Sequence, residues 1–156
     1  MPELNIPGSD PIQFEALAID YNGTIAIDGV PKPGCLERLR QLGENVAIHV
    51  LTADTFGAVA SHLAEPPFTV TILPPGRQDE AKAAHVRSLG LKTTVAIGNG
   101  ANDARMLKEA VLGIAVLQEE GAAGATLQNA DVVFGDINDA LDALLDPRRL
   151  IASLRT

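Results

Sequence analysis

The sequence predicts an α/β chain, a doubly wound, Rossmann-like parallel sheet with helices on both faces. Two observations carry this. Short apolar, β-branched runs recur along the chain, among them Phe14–Ile19, Val46–Leu51, Thr69–Leu73, Thr93–Ile97, Gly113–Val116 and Val132–Phe134. Between them lie segments with helical spacing. Continuous apolar runs mark strands buried on both faces, and helical crossovers are what join parallel strands. A third observation sets the scale. A chain of 156 residues, 46% of them hydrophobic, can build one core. A single domain over 1–156 is therefore expected.

The elements follow in order. Leu4–Ile6 and Ile12–Phe14, separated by Pro7–Pro11, predict an N-terminal hairpin within residues 1–15, at the sheet edge. Phe14–Ile19 is the first main strand and ends at Asp20. Leu36, Leu39 and Leu42 lie three apart and put a helix over Cys35–Leu42, stopped by Gly43. Val46–Leu51 is a strand interrupted by His49, and Thr55–Leu63 is a helix ended by Pro66–Pro67. Thr69–Leu73 is a strand closed by the turn cluster Pro74-Pro75-Gly76. Gln78–Leu89 is a helix closed by Gly90, followed by a strand at Thr93–Ile97 and a helix at Asn102–Ala110. Gly113–Val116 and Val132–Phe134 are strands flanking a weaker helix at Gly121–Asn129, and Ile137–Leu145 is a helix. Residues 147–156 form a basic tail with three arginines, read as a short helical end or a mobile terminus.

Composition excludes several function classes. Twelve Lys and Arg against twenty Asp and Glu give a net charge of −8, which argues against nucleic-acid binding. Aromatic residues are only 3%, so base stacking is not expected either. No apolar run approaches the ~20 residues that span a bilayer. Residues 1–10 lack a secretory leader pattern, and the lone Cys35 offers no internal disulfide, so a cytoplasmic setting is expected.

In open α/β sheets, ligands bind at the carboxyl ends of strands. Polar residues just after the predicted strands are Asp20-Tyr21-Asn22-Gly23-Thr24, Thr52-Ala53-Asp54 and Gly98-Asn99-Gly100-Ala101-Asn102-Asp103. Lys82 sits near the start of its helix. Together these supply carboxylates, a hydroxyl, an ammonium and glycine-flanked amides. Phosphoryl transfer needs that set: a nucleophile, charge neutralisation and fixed donors around the phosphate oxygens.

In order and spacing, Asp20–Thr24, Thr52, Lys82 and Gly98–Asp103 resemble the four motifs of the haloacid dehalogenase-like phosphohydrolases, over about Phe14 to Leu145. The run GNGANDARML is most similar to the phosphorylation domain of P-type ATPases and the small soluble proteins named after it. The resemblance implies Asp20 as nucleophile and Mg²⁺ as cofactor. Asp20, the Asn22 carbonyl, Asn99 and Asp103 would hold the metal. Thr52, Ala53, Lys82 and Asn102 would hold the phosphate, and Asp20, Asn22, Thr52 and Lys82 form the catalytic set. It also implies a phosphate-bearing small-molecule or protein substrate, with a homo-oligomer expected. Only 30 positions separate Thr52 from Lys82, and Ile25–Gly34 is short, so no cap domain is expected.

Two positions depart from the family pattern. Asn22 stands where the general acid/base carboxylate is usual, and Asn99 where a metal-binding carboxylate is usual. An amide oxygen can ligate Mg²⁺ without charge, but an amide shuttles no proton near neutral pH. The leading expectation is thus a slow or substrate-restricted phosphohydrolase, with a non-catalytic binding or regulatory relative as the alternative. A two-component receiver ranks last, because Pro74-Pro75-Gly76 stands where its phosphorylated aspartate would follow the third strand.

Other polar residues carry blander readings. Asp54 and Thr55 read equally as a helix cap or as part of the site. His49 reads as a core position, His62 and His85 as surface residues, and Glu119–Glu120 as a solvated turn. Three dispersed histidines and one cysteine give no zinc set.

Overall fold

The computed structural model describes residues 1–53 and 57–156. The chain runs through β1 (Glu3–Leu4), β2 (Ile12–Gln13), β3 (Ala16–Asp20), β4 (Ala26–Ile27) and β5 (Val30–Pro31) to α1 (Cys35–Leu42). It continues through β6 (Ala47–Thr52), α2 (Ala58–His62), β7 (Phe68–Ile72), α3 (Gln78–Leu89) and β8 (Thr94–Gly98). A short 3₁₀ turn, Ala101–Asp103, leads into α4 (Ala104–Glu109). The last elements are β9 (Leu112–Val116), α5 (Gly124–Asn129), β10 (Val132–Phe134), α6 (Ile137–Leu145) and α7 (Arg148–Leu154). The expected Asp54–Thr55 cap and the start of the Thr55–Leu63 helix lie outside the described residues.

Six strands form one sheet in the order β10-β9-β8-β3-β6-β7, every pair parallel. From β3 the chain winds outward through β6 to β7. It then crosses back by α3 to β8 and winds the other way to β10. The reversal places the topological switch point between β3 and β8, where this architecture forms its crevice.

The two faces of the sheet differ in side-chain size. Leu17, Ile19, Ile48, Val50, Val95, Ile97, Leu112 and Ile114 point into one core with Leu39 and Leu42 of α1, Val59 of α2, and Leu141 and Leu144 of α6. Ala18, Ala96 and Ala115 face the other way, against Val86 of α3 and Met106 and Leu107 of α4. Small residues let the second helix layer sit close. A Cβ on Gly113 would overlap the Leu107 backbone, so β9 and α4 meet main chain to main chain there.

The N-terminal hairpin forms, with Leu4 opposite Ile12, but not at an edge of the main sheet. It is a separate two-stranded sheet. Leu4, Ile6 and Phe14 are buried in the larger core, and that burial holds the hairpin against the domain body rather than alongside β7 or β10. The tail takes the helical option, as α7, and buries Leu150.

A second hairpin, β4–β5, was not expected from the sequence. Its turn residues Asp28 and Gly29 both have positive φ, 51° and 79°. Asp-Gly between Ile27 and Val30 is a strong short-range hairpin signal, and it was legible. Among the described residues, no helix is long and apolar enough to cross a membrane.

Candidate active site

The switch point is occupied by a charged cluster. Asp20, the last residue of β3, is 7% exposed. Lys82 enters from the first turns of α3 and is 2% exposed, its ammonium 2.8 Å from Asp20 Oδ1 and 2.6 Å from Asp103 Oδ1. Asp103 is fully buried, and its other oxygen accepts from the amides of Asn99, at 3.0 Å, and Gly100, at 2.9 Å. One ammonium thus joins the strand-end carboxylate to the loop after β8.

Burial and then the Asp103 charge push the Asp20 carboxyl up to about 7, against the opposing pull of Lys82. Burial pulls the Lys82 ammonium down, but the two carboxylates outweigh it and hold it above the ordinary lysine range. The lysine is therefore a fixed cation, and Asp20 is the group poised to change charge.

Thr24 sits between the two strand-end loops. Its hydroxyl oxygen is 3.2 Å from Asp20 Oδ2 and 3.3 Å from Asn99 Oδ1, so its single proton serves one of them at a time. Asn99 donates from Nδ2 to Gly121 O at 3.1 Å, which turns its Oδ1 toward Thr24 and the site. Gly23, at φ 82°, has no Cβ where the Asn99 side chain lies; any larger residue would collide with that amide. Asn22 is exposed on the same loop.

Thr52 ends β6 and is buried; Ala53, which follows it, is half-buried. Leu51 is the register partner of Asp20, so Thr52 lies one residue past the level of Asp20 on the neighbouring strand. Asn102, expected on the phosphate, has its amide occupied. Its Oδ1 lies 3.4 Å from the Lys82 ammonium, and its Nδ2 donates to Gln78 Oε1 at 3.1 Å. Asp103, expected at the metal, sits behind Lys82 with both oxygens engaged. Asp20 and Asn99 keep slight exposure, 7% and 8%, where Asp103 has none. Among the described residues, no group of three or more His, Cys, Asp or Glu is arranged to hold a metal. A hard-oxygen set with one carboxylate at the strand end, Asp20, already shared with Lys82 and Thr24, fits Mg²⁺, which keeps several waters and takes one or two carboxylates.

Some sequence readings change. His49 is not a core residue. It is half-buried on β6, with its Nδ1 3.3 Å from Nε2 of His85, which is itself half-buried on α3. Burial holds both imidazoles below the ordinary range, and for His49 the neighbouring His85 adds to it. Glu119 and Glu120 form the exposed turn expected, and the turn also makes contacts. Glu119 pairs with Lys32 at 2.9 Å, and Glu120 accepts from the Asp28 amide at 3.3 Å. Gln118 was missed. It reaches the Asp20 loop from the end of β9, and no motif marks it.

A parallel sheet whose central strand ends in an aspartate at the switch point, bridged by a buried lysine to a second aspartate, defines a strand-end carboxylate class of α/β protein. The chain belongs to the haloacid dehalogenase-like superfamily. The haloacid dehalogenase-like hydrolase family matches residues 81–145. A copper-exporting P-type ATPase from Staphylococcus saprophyticus is 31% identical over 148 residues, covering 90% of this chain and 17% of that protein. An uncharacterized protein from Methanocaldococcus jannaschii is 53% identical over 64 residues, covering 41% of this chain and 69% of that protein. The fold is similar to 3-deoxy-D-manno-octulosonate 8-phosphate phosphatase from Moraxella catarrhalis, solved with magnesium, phosphate and the sugar acid. The TM-score is 0.63 at 15% identity, and 90% of each chain is covered.

Proposed function

We propose that this chain is a phosphohydrolase that takes the phosphoryl group onto Asp20 and releases it slowly. The observation that carries the reading is the Lys82 ammonium, buried and shared between Asp20 and Asp103 at 2.8 and 2.6 Å. It supplies a fixed positive charge where the phosphoryl oxygens of a substrate attacked by Asp20 would gather. The P-type ATPase relative and the phosphatase neighbour support phosphoryl chemistry.

In the first step an Asp20 carboxylate oxygen attacks phosphorus and the bond to the leaving oxygen breaks. The leaving group takes its proton from solvent, because Asn22 has none to give. In the second step water attacks the phosphorus of the aspartyl phosphate. The bond to Asp20 breaks, and inorganic phosphate leaves. Thr24 orients Asp20, while Lys82 neutralises charge throughout. Thr52, through its hydroxyl, and Ala53, through its amide, hold phosphoryl oxygens. Asn102 reaches them only by releasing Gln78. Mg²⁺ would be held by Asp20, the Asn22 carbonyl and Asn99 Oδ1, and would neutralise phosphate charge. Asp103 supports this set from behind by fixing Lys82 and the Asn99–Gly100 amides.

The site is uncapped, so it suits a small phosphate ester, an acyl phosphate or a phosphate carried on a protein. Cys35 is buried, which pushes its thiol up to about 12, and an unreactive single thiol suits the cytoplasm. An Mg²⁺-supplemented screen of phosphorylated metabolites tests the reading. Aryl and acyl phosphates should give a rapid burst of one equivalent, then slow turnover. A linear time course without a burst on every active substrate would remove the slow-release mechanism. No turnover and no burst would favour a non-catalytic phosphate-binding relative.

A further inference from the structure

We propose that Gln118 is a positioning residue that fixes the Asn22–Thr24 loop against Asp20. Its consequence for catalysis rests on the phosphohydrolase reading; its structural part does not.

The Gln118 side chain fills every hydrogen-bonding position it has. Nε2 donates to Gly23 O at 2.9 Å and to Thr24 O at 2.8 Å. Oε1 accepts from the Ile137 amide at 2.9 Å and from Lys32 Nζ at 3.3 Å. A carboxamide has two N–H groups and two lone pairs, so none is spare. The four partners lie on three segments: the Gly23–Thr24 loop, the start of α6 and the residue after β5. Ile137 opens α6, where Asp136 caps the helix by accepting from Asn138 N at 2.7 Å. Lys32 follows β5 and also bonds Asp136 at 2.8 Å. Gln118 therefore refers the Asp20 loop to the rigid start of a helix packed in the main core.

The loop's own bonds do only part of this task. Gly23 N donates to Ala26 O at 2.7 Å, and Thr24 N to Tyr21 O at 3.2 Å. Thr24 N–H shares a peptide plane with Gly23 O, so Gln118 adds a second tie to that plane and, through Thr24 O, holds the next plane as well. The Gly23–Thr24 peptide follows directly on the permissive Gly23 φ of 82°. Its orientation decides whether the Thr24 hydroxyl stands 3.2 Å from Asp20. The segment that carries Gln118 grips the other half of the site as well. Gly121 O accepts from the Asn99 side chain at 3.1 Å, and Ala123 N donates to Asn99 O at 2.9 Å. Both strand-end loops are thus set against one another through residues 118–123.

Gln118→Glu separates the roles. A carboxylate still accepts from Lys32 and Ile137 but donates nothing to Gly23 and Thr24. Gln118→Met removes both halves at similar size and stands in if the first variant does not fold. Two readouts apply to the full chain. Amide hydrogen exchange at Gly23, Thr24 and Ala26 should quicken by about tenfold or more in Gln118→Glu, with Thr94–Gly98 unchanged; about 1.4 kcal/mol of lost hydrogen bonding corresponds to tenfold. With an aryl phosphate, kcat should fall by about tenfold while KM holds within about twofold. Unchanged exchange in the 22–26 loop, or a speed-up spread equally over β8, would overturn the proposal. If the unaltered protein transfers no phosphoryl group, the phosphohydrolase reading fails, and the exchange result alone decides the role of Gln118.

Discussion

Replacing Lys82 with methionine should destabilise the protein in a strongly pH-dependent way. The side chain keeps its length and packing, but two carboxylates lose their shared cation. Those contacts, 2.8 Å to Asp20 and 2.6 Å to Asp103, join three buried residues. Removing one partner of a buried ion pair costs about 3–5 kcal/mol, because the remaining charge has no compensation. At a slope of about 2 kcal/mol/M, that moves a urea midpoint down by about 2 M. The sign with pH follows from Asp20, whose folded carboxyl is pushed up to about 7 from its ordinary 3.8. A group raised on folding favours the folded state below its unfolded pKa, and that contribution is lost as pH rises through the folded value. Without Lys82 the Asp20 carboxyl rises further, so the penalty should be full at pH 8 and much smaller at pH 5. Urea unfolding followed by far-UV circular dichroism at both pH values reads it. A loss of equal size at pH 5 and pH 8 would mean that Lys82 acts by packing, and the electrostatic reasoning would be refuted. Adding Asp103→Asn to Lys82→Met should recover part of the loss at pH 8.

Other expectations concern the two amides. Asn22 is exposed, so Asn22→Asp adds a charge the loop can solvate; steady-state hydrolysis should rise by about 10²–10⁴-fold, the usual worth of a positioned acid/base, and a slower but folded variant would contradict that role. Asn99→Asp adds an anionic oxygen beside Asp20 but loses the bond donated to Gly121 O. The metal-free protein should therefore lose about 1–3 kcal/mol while Mg²⁺ affinity rises, read together by calorimetry and by melting with and without Mg²⁺. Asn22-Gly23 and Asn99-Gly100 are deamidation-prone sequences, but the attacking Gly amides are tied up. Gly23 N donates to Ala26 O at 2.7 Å, and Gly100 N to Asp103 Oδ2 at 2.9 Å. Peptide mass spectrometry of aged folded protein should find both residues still amidated, and conversion as fast as in the urea-unfolded chain would contradict this.

The sheet and most of its helices were legible because buried parallel strands leave apolar runs that helices then separate. The strand-end rule picked out Asp20 and the Gly98–Asp103 loop beside the switch point, whereas Lys82, on a helix, was marked only by the order of the motifs. What the sequence hid was set by long-range partners. Gln118 and Gly121 act on residues that lie far away in the chain, and no local pattern announces such contacts. His49 breaks an apolar strand, and only the placement of α3 reveals that His85 meets it. Asp103 carries a motif position, yet its engagement by Lys82 and two amides depends on how tightly the turn after β8 closes. The β4–β5 hairpin was different in kind. Asp28-Gly29 was a readable turn signal, obscured by the shortness of the strands it joins.

Covalent labelling of Asp20 tests the central claim most directly. The protein is incubated with Mg²⁺ and an acyl phosphate labelled in its phosphoryl group, quenched in acid, and digested for peptide mapping. A hydroxylamine-sensitive label confined to the peptide bearing Asp20, absent from a folded Asp20→Asn variant, is the predicted result. Label on another residue, or equal labelling in Asp20→Asn, would contradict the account.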